Sequence, residues 1–195
     1  MAKFDLVCPD GMPLVWAINR QLPENEQLTD RVYGPTLMWK TLEASGKNQK
    51  HFLFGGMEST LEKMEARCKK ELPDANIVGS YSPPFGHWDE TELKKIFGLF
   101  RESGANIIWV GLGCPKQESW VAMHKHELPP AVYLTVGAAF AFHAGEVRQA
   151  PDWIQRRGLE WAFRLTMEPK RLFKRYFVNN ARFIYYSLRD RIAGA

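Results

Sequence analysis

Short apolar runs alternate with longer amphipathic segments along most of this chain. The runs are rich in β-branched and aromatic residues, and they predict strands at 4–8, 51–54, 76–79, 106–111 and 132–136. Segments in which apolar residues recur at helical spacing predict helices at 13–20, 36–45, 59–72, 90–103, 116–127, 152–167 and 170–192. Because strands and helices alternate, we expect an α/β fold with a doubly wound, mostly parallel sheet.

The length and the order of the elements predict a core at 1–150 and a helical extension at 151–195. A chain of 195 residues that is 45% hydrophobic can bury one sizeable core. Ligands of doubly wound sheets bind beyond the carboxyl ends of the strands. The loops that follow the predicted strands are therefore the first places to look for a binding or catalytic site.

Charge is distributed unevenly between these two regions. Residues 151–195 contain ten Lys and Arg against four Asp and Glu, a net charge of +6, whereas residues 1–150 carry −2. Arginines alternate with aromatic residues here, and the predicted last helix has an apolar stripe at Phe173, Phe177, Ile184, Leu188 and Ile192. A basic helix packed on a core has this pattern, and so does a helix that binds a diphosphate or an anionic membrane surface. The stripe could instead be buried in a homo-oligomer.

Cysteine, histidine and hydropathy patterns exclude several classes of protein. Cys8, Cys68 and Cys114 form no CxxC motif, and no HExxH occurs, so we predict neither a disulfide framework nor a metal site. Asp5 and Asp10 interrupt any signal-peptide pattern, and no run approaches the roughly 20 apolar residues of a membrane-spanning helix. We expect a soluble or peripheral protein of a reducing cytoplasm.

Two motifs near the start of the chain contain candidate catalytic residues. The sequence Pro-Asp-Gly at 9–11 is typical of a tight turn, but Asp10 would also place a carboxylate at the sheet edge, where it could act as a general base. Arg31, in the sequence RVYGP, precedes a predicted helix. It could hold a phosphate or the catalytic carboxylate, or it could be a surface cation.

A glycine-rich loop, GLGCPKQE, follows the predicted strand at 106–111. Gly111 and Gly113 would let the backbone approach a ligand, and Lys116 and Gln117 lie at the start of the next helix. The third glycine of a dinucleotide-binding fingerprint would fall at Lys116, so NAD is excluded as the ligand. A phosphate or sugar hydroxyls would suit these residues better, and a solvated Gly-Pro loop is the alternative.

Two further loops are less specific. The sequence SPPFG at 82–86 could wall a pocket for a flat base or simply end a strand. Gly137 opens the sequence GAAFAFHAG, where small residues leave room for a ligand. His143 has no acid nearby in the sequence, which favours a packed histidine over a catalyst.

Five motifs follow one another along the chain: PDG, RVYG, GLGCPKQESW, GAAFAFHAG and APDWIQRRGLEWAFRLTMEPKRLFKRY. In this order they make the chain resemble the WecG/TagA/CpsF glycosyltransferase family over essentially the whole length of the chain. The resemblance implies a Rossmann-like fold and an inverting transferase of bacterial surface polysaccharide or teichoic-acid synthesis. It implies transfer of N-acetylmannosamine or a related sugar from a UDP donor to a polyprenyl-diphosphate-linked acceptor, at the inner face of the cell membrane. It implies no cofactor, because the UDP-sugar is a substrate, and no DxD motif is present to bind a metal.

The resemblance also assigns roles to residues. Asp10 matches the proposed general base and Arg31 an arginine near it. Gln117 matches a donor-site glutamine. Lys116, Gly111, Gly113 and Gly137 are further candidates for substrate binding because of their loop positions rather than because of the resemblance. Arg164 and Arg171 are the arginines we expect to offset the charge of the diphosphate.

Two departures from the family pattern bear on activity. The chain begins almost at the PDG motif, whereas family members have a preceding strand–helix unit, so we expect the sheet to lack an edge unit. Ala141 replaces an Asp that helps hold the nucleotide in many members. These departures motivate a second hypothesis, a non-catalytic nucleotide-sugar-binding or scaffold protein of a polysaccharide assembly complex. Nucleic-acid binding ranks last, because the rest of the chain is slightly acidic and lacks a nucleic-acid-binding motif.

Overall fold

A computed structural model describes the backbone of residues 3–193, and their side chains except at positions 171, 175, 184, 187, 188 and 190–193. The chain divides into two compact units. The sheet unit comprises Met1–Val7 and Tyr33–Arg148, and the helical unit comprises Cys8–Val32 and Gln149–Ala195. The helical unit thus contains the predicted C-terminal extension together with residues 8–32.

Four parallel strands form the sheet, in the order β2-β1-β3-β4. The strands are β1 (Lys50–Gly55), β2 (Asn76–Tyr81), β3 (Ile107–Gly111) and β4 (Val132–Thr135). The α/β fold class is confirmed: the all-parallel sheet is flanked by helices and is consistent with a Rossmann-like fold. β1 is followed through a helix by β2 on one side, and the chain then crosses to β3 on the other side of β1.

The predicted strand at 4–8 is wrong. These residues have no regular secondary structure, and Leu6 and Val7 are exposed. An apolar run becomes a strand only where a neighbouring strand satisfies its backbone hydrogen bonds. No ladder to residues 4–8 occurs among the residues that the structure describes.

Alternate strand residues build a core on each face of the sheet. On one face Phe52, Phe54, Ile108 and Val110 pack against Phe97 and other residues of the helices α4 (Glu90–Ser103) and α5 (Lys116–His124). On the opposite face Leu53 and Trp109 pack against residues of α2 (Gly34–Glu43), α3 (Glu58–Glu71) and the short α6 (Ala139–His143). The sheet therefore has helices on both faces, as the doubly wound prediction requires.

A buried polar network lies within the second of these layers. The Trp109 indole N–H donates to Nδ1 of the fully buried His51 (3.1 Å), and His51 Nε2 lies 2.7 Å from Ser45 Oγ. Ser45 Oγ in turn donates to the Thr41 carbonyl (2.5 Å). Since Nδ1 accepts a hydrogen bond, the neutral ring carries its proton on Nε2 and donates it to Ser45. Burial lowers the pKa of His51 to about 4, which keeps the ring neutral at pH 7.

The helical unit is built from short helices and one long one. These are α1 (Met12–Asn19), a 3₁₀ turn (Glu24–Glu26), α7 (Asp152–Arg156), α8 (Glu160–Met167) and α9 (Pro169–Ala193). The Asn19 side chain exchanges two hydrogen bonds of 2.8 Å with the backbone of Leu28, which ties the segment after α1 back onto that helix.

The single helix predicted at 152–167 is wrong, because the chain turns at Gly158 between α7 and α8. Gly158 has a positive φ of 69°, a conformation that favours glycine. A Cβ there would lie 3.0 Å from Pro13 Cδ and 3.1 Å from the Trp16 ring. Glycine is therefore required at this break for two reasons: its positive φ and its close packing against α1.

Candidate active site

The predicted site residues divide between the two units. The sheet unit contains those from the loops after the strands: Gly111, Gly113, Lys116, Gln117 and Gly137. The helical unit contains the predicted base and the predicted cations: Asp10, Arg31, Arg164 and Arg171.

In the sheet unit, the ends of β1 and β3 meet at the point where the strand order reverses. Gly55 and Gly111 are register partners there. A Cβ on Gly55 would lie 2.8 Å from the Gly111 backbone, and a Cβ on Gly111 would lie 2.6 Å from the Phe140 ring. Both glycines therefore allow close internal packing, in addition to any role in ligand approach. In doubly wound sheets the crevice at this switch point is the usual ligand site.

The loop after β3 leads directly into α5. Gly113 has φ of 82°, and the space where its Cβ would point is open. The Gln117 N–H donates to the Gly113 carbonyl (2.9 Å) as the helix begins. The ammonium of Lys116 lies 4.6 Å from the centre of the Trp88 ring, a cation–π distance. Trp88 itself donates to the Pro84 carbonyl (2.7 Å), which fixes the loop after β2.

Gln117 joins two of the predicted loops. Its side chain is buried, and its Oε1 accepts a hydrogen bond from the Gly137 N–H (3.0 Å). Its Nε2 donates to Glu118 Oε1 (2.8 Å). Gln117 thereby holds the start of the loop after β4, where Gly137 has φ of 58°, against the first turn of α5. A contact of Gln117 with a donor substrate stays a prediction.

His143 is a packed histidine. Its Nε2 donates to the Pro35 carbonyl (2.8 Å), and its ring stacks on Trp39 with the ring centres 4.9 Å apart. Arg67 covers the Trp39 ring, 4.3 Å from its centre, and donates to the His143 carbonyl (3.2 Å). Burial lowers the pKa of His143, which favours the neutral ring.

In the helical unit, Asp10 is an exposed residue in the loop that leads into α1. Because residues 4–8 form no strand, Asp10 does not follow a strand of the sheet as the sequence led us to expect. Its loop is held by backbone hydrogen bonds: the Val32 N–H donates to the Pro9 carbonyl (2.8 Å), and the Gly11 carbonyl accepts from Leu14 N–H (2.9 Å). Its carboxylate is thus presented at the surface of this unit from an ordered turn.

Arg31 is the centre of a polar cluster in the same unit. One terminal nitrogen, Nη1, forms an ion pair with Glu160 Oε2 (2.5 Å) and donates to the Asp10 carbonyl (3.4 Å). The other, Nη2, donates to Gln155 Oε1 (2.5 Å). The side chains of Arg31 and Glu160 are only 9% and 10% exposed. Arg31 is therefore a largely buried cation that connects the Asp10 loop with α7 and α8.

The other two predicted cations lie further along this unit. Arg164 is half-buried in the last turn of α8. Arg171 lies in α9, and its side chain is outside the described part of the structure. The same holds for Ile184, Leu188 and Ile192 of the predicted apolar stripe. Any contact of Arg164 or Arg171 with a diphosphate stays a prediction.

The family model of the Glycosyl transferase WecG/TagA/CpsF family matches residues 1–195, the whole chain. The chain belongs to this family. Membership in the WecG/TagA/CpsF family makes the protein a glycosyltransferase of cell-surface polysaccharide synthesis, which confirms the predicted enzyme class. For WecG/TagA/CpsF glycosyltransferases in general, it implies a nucleotide-sugar donor and a lipid-linked acceptor.

Among the described residues, no group of three or more His, Cys, Asp or Glu side chains is arranged to hold a metal ion. Within the same residues, no helix has the length and apolarity needed to cross a bilayer.

Sequence reasoning missed several residues that organise the loops of this glycosyltransferase. Glu160 and Gln155 hold Arg31, and Phe140 fills the space beside Gly111. Nothing in the local sequence pairs Glu160 with an arginine so far away in the chain. A weak signal did exist for Glu160, because a glutamate within the arginine- and aromatic-rich segment is one of its few acidic residues.

Proposed function

We propose that this protein is an inverting glycosyltransferase that moves N-acetylmannosamine or a related sugar from a UDP donor to a polyprenyl-diphosphate-linked acceptor. The observation that supports this proposal most strongly is the family match along the whole chain. The exposed Asp10 carboxylate, in a turn fixed by Val32 and Arg31, adds a group suited to general-base catalysis.

In the proposed reaction Asp10 takes the proton of an acceptor hydroxyl as its oxygen attacks the anomeric carbon. The new carbon–oxygen bond forms on the face opposite the bond to UDP, which breaks as UDP leaves, and the configuration inverts. Negative charge develops on the departing diphosphate and must be balanced by preorganised donors. In the sheet unit, Lys116 and the N–H groups at the start of α5 are the groups we propose for this, in place of a metal ion.

We propose that the donor binds at the carboxyl edge of the sheet unit, in the loops that contain Gly111, Gly113, Gln117 and Gly137. Three features favour this placement. The strand order reverses between β1 and β3, the space beside Gly113 is open, and Gln117 fixes the loop at Gly137. An amide side chain held in this way orients neighbouring backbone groups for a polar ligand.

The helical unit is suited to a membrane-bound acceptor. On α9, Phe173 and Phe177 lie one helical turn apart and are 61% and 70% exposed. Their rings stack with centres 6.1 Å apart. Exposed aromatic rings beside many Lys and Arg residues are typical of helices that bind at an anionic bilayer surface. We therefore propose peripheral attachment to the inner face of the cell membrane.

The test is UDP release from a panel of UDP-sugars, with and without a polyprenyl-diphosphate-sugar analogue, in EDTA. We expect release from one donor that requires the acceptor and persists in EDTA. Release only after a divalent metal is added would contradict the metal-independent chemistry. A folded protein that binds UDP but releases none from any donor would favour the alternative function, a non-catalytic nucleotide-sugar-binding or scaffold protein.

A further inference from the structure

The geometry points to Glu160 as a positioning residue that fixes Arg31 and, through it, the loop that presents the Asp10 carboxylate. This inference rests on the proposed function, in which Asp10 is the base. It assigns Glu160 no contact with substrate, only the task of fixing the groups beside Asp10.

The Arg31–Glu160 ion pair is largely buried. With about nine-tenths of each side chain buried, the two charges have lost most of their hydration. Such a pair is weak evidence for stability, since apolar residues of similar volume often serve the fold as well or better. A buried pair is better explained by a requirement for a fixed geometry, which the planar guanidinium fork can supply.

The Arg31 segment contacts the backbone of the loop that contains Asp10. Arg31 Nη1 reaches the Asp10 carbonyl at 3.4 Å, a long contact. The next residue, Val32, donates its N–H to the Pro9 carbonyl at 2.8 Å. Successive residues of one segment thus bind the carbonyls on both sides of the Asp10 Cα, so a shift of Arg31 would move the carboxylate.

The Arg31 guanidinium contacts the side chains of Glu160 and Gln155, which are themselves part of helices. Glu160 opens α8, and Gln155 is in α7, where its Nε2 also donates to the Ala150 carbonyl (2.6 Å). Both of these side chains are therefore on helices rather than on a loop. Loss of the Glu160 charge would remove this ion pair, and the guanidinium would be held less firmly in its present orientation.

The experiment compares Glu160→Gln with Glu160→Asp and with the matched variant Glu146→Gln. Glu146 is an ion-paired carboxylate of the sheet unit that accepts from Thr60 Oγ1 and Lys63 Nζ, each at 2.8 Å. In acceptor-dependent UDP release we expect Glu160→Gln to lower kcat by roughly 100-fold, as for a misplaced catalytic group, with KM for the donor nearly unchanged. We expect Glu160→Asp to recover much of this loss and Glu146→Gln to retain the wild-type rate.

A double-mutant cycle tests whether Glu160 acts through Arg31. Replacing the pair by Arg31→Met and Glu160→Met should give a folded protein, because buried pairs tolerate apolar replacement. If Glu160 acts through Arg31, the double variant should have the same kcat as Arg31→Met alone. If the separate losses of kcat multiply in the double variant, the inference is overturned. A Glu160→Gln variant that is folded and fully active would also overturn it.

A readout independent of turnover separates this inference from the proposed function. Hydrogen exchange in residues 8–14 should speed up in Glu160→Gln and stay unchanged in Glu146→Gln. If wild-type protein transfers no sugar but exchange responds in this way, the proposed function fails and the positioning role stands. If wild-type protein is active and exchange at 8–14 does not respond to Glu160→Gln, the positioning role is overturned.

Discussion

The two units use their apolar side chains differently. In the sheet unit, large residues such as Phe54, Trp109 and Phe140 are fully or almost fully buried on one face of the sheet or the other. In the described part of the helical unit, the buried apolar residues are Val15, Ala150 and Leu172. Large exposed residues in that unit include Trp16, Trp153, Trp161, Met167, Phe173, Phe177, Tyr185 and Tyr186.

Folding alone therefore explains the aromatic residues of the sheet unit other than the exposed Phe85, but not the exposed aromatic residues of the helical unit. In the sheet unit, burial keeps the His51 ring neutral within its hydrogen-bond network. The helical unit instead keeps a buried charge pair, Arg31 and Glu160, beside an exposed carboxylate. Features that a fold does not need are the ones to test for binding and catalysis.

The largest expected effect comes from the Asp10 carboxylate of the helical unit. Asp10→Asn replaces the proposed base by a neutral side chain of nearly the same size, so we expect kcat to fall by about 10²–10⁴-fold. Because the side chain is exposed, the melting temperature should not change. Acceptor-dependent UDP release and circular dichroism measure the two quantities.

The matched control for this loss is Asp30→Asn. Asp30 Oδ1 accepts the Arg31 N–H at 2.8 Å, and an asparagine oxygen can accept the same bond. We expect Asp30→Asn to retain wild-type turnover. Wild-type turnover in Asp10→Asn as well would refute the assignment of the base.

The next largest effect tests how closely the strands of the sheet unit approach each other. Gly55 and Gly86 have nearly identical φ angles, 107° and 106°, but only at Gly55 would a Cβ meet the backbone of the neighbouring strand. Alanine at either position carries backbone strain on the order of 1–3 kcal/mol. At Gly55 we expect overpacking to remove about 1–3 kcal/mol more from the free energy of unfolding.

Urea denaturation of Gly55→Ala and Gly86→Ala measures this difference directly. The shared φ strain cancels between the two variants, so the remainder reports the contact of Gly55 with Gly111. Equal losses of unfolding free energy would mean that the strand ends are not tightly packed at this position.

The third prediction concerns acid sensitivity of the sheet unit. Burial lowers the pKa of His51 from 6.5 to about 4 in the folded state. Between these values the unfolded chain binds more protons than the folded one, so stability is greatest above pH 6.5 and falls as the pH drops towards 4. The shift corresponds to about 3 kcal/mol of unfolding free energy across that window.

Urea denaturation at several pH values separates His51 from other groups. His51→Gln should reduce the pH slope between 6.5 and 4, whereas His126→Gln, at an exposed position, should keep the wild-type slope. His143 contributes in the same direction, because burial lowers its pKa too. If the pH slope of the unfolding free energy is unchanged in His51→Gln, groups other than His51 cause the acid sensitivity.

The contrast between the units also explains what the sequence could predict. Strands β1 to β4 were predictable, because each has a partner in the sheet and its apolar residues fill the two cores. The run at 4–8 has similar residues but no partner strand among those described, so periodicity alone gave the wrong answer. The break at Gly158 depends on packing with Pro13 and Trp16, which local propensity does not contain.

Candidate site residues were predictable only as residue types at loop positions. The motifs indicated Asp10, Arg31 and Gln117, but not the bonds that hold them. The partners of Arg31 lie in helices α7 and α8, far along the chain, and a hydrogen-bonding glutamine or glutamate has no distinctive local pattern. A single sequence does not indicate which polar side chains of a site are in contact in the folded protein.

The smallest expected effect compares exposed phenylalanines in the two units. Burying an exposed Phe ring in a bilayer surface is worth roughly 1.5–3 kcal/mol. The double variant Phe173→Ser, Phe177→Ser should therefore bind vesicles of anionic lipid at least about tenfold more weakly. Co-sedimentation with vesicles that contain phosphatidylglycerol measures the change.

Phe85→Ser is the control, because Phe85 is 94% exposed but belongs to the sheet unit. If the membrane-binding surface belongs to the helical unit, Phe85→Ser should bind vesicles as the wild type does. Equal losses in the two variants would indicate nonspecific adsorption of exposed rings. A further outcome is a double variant that binds vesicles fully but elutes at a smaller size in gel filtration than the wild type. That result would mean that Phe173 and Phe177 contact a second copy of the chain, because loss of a lipid-facing stripe would change vesicle binding and not the oligomeric state.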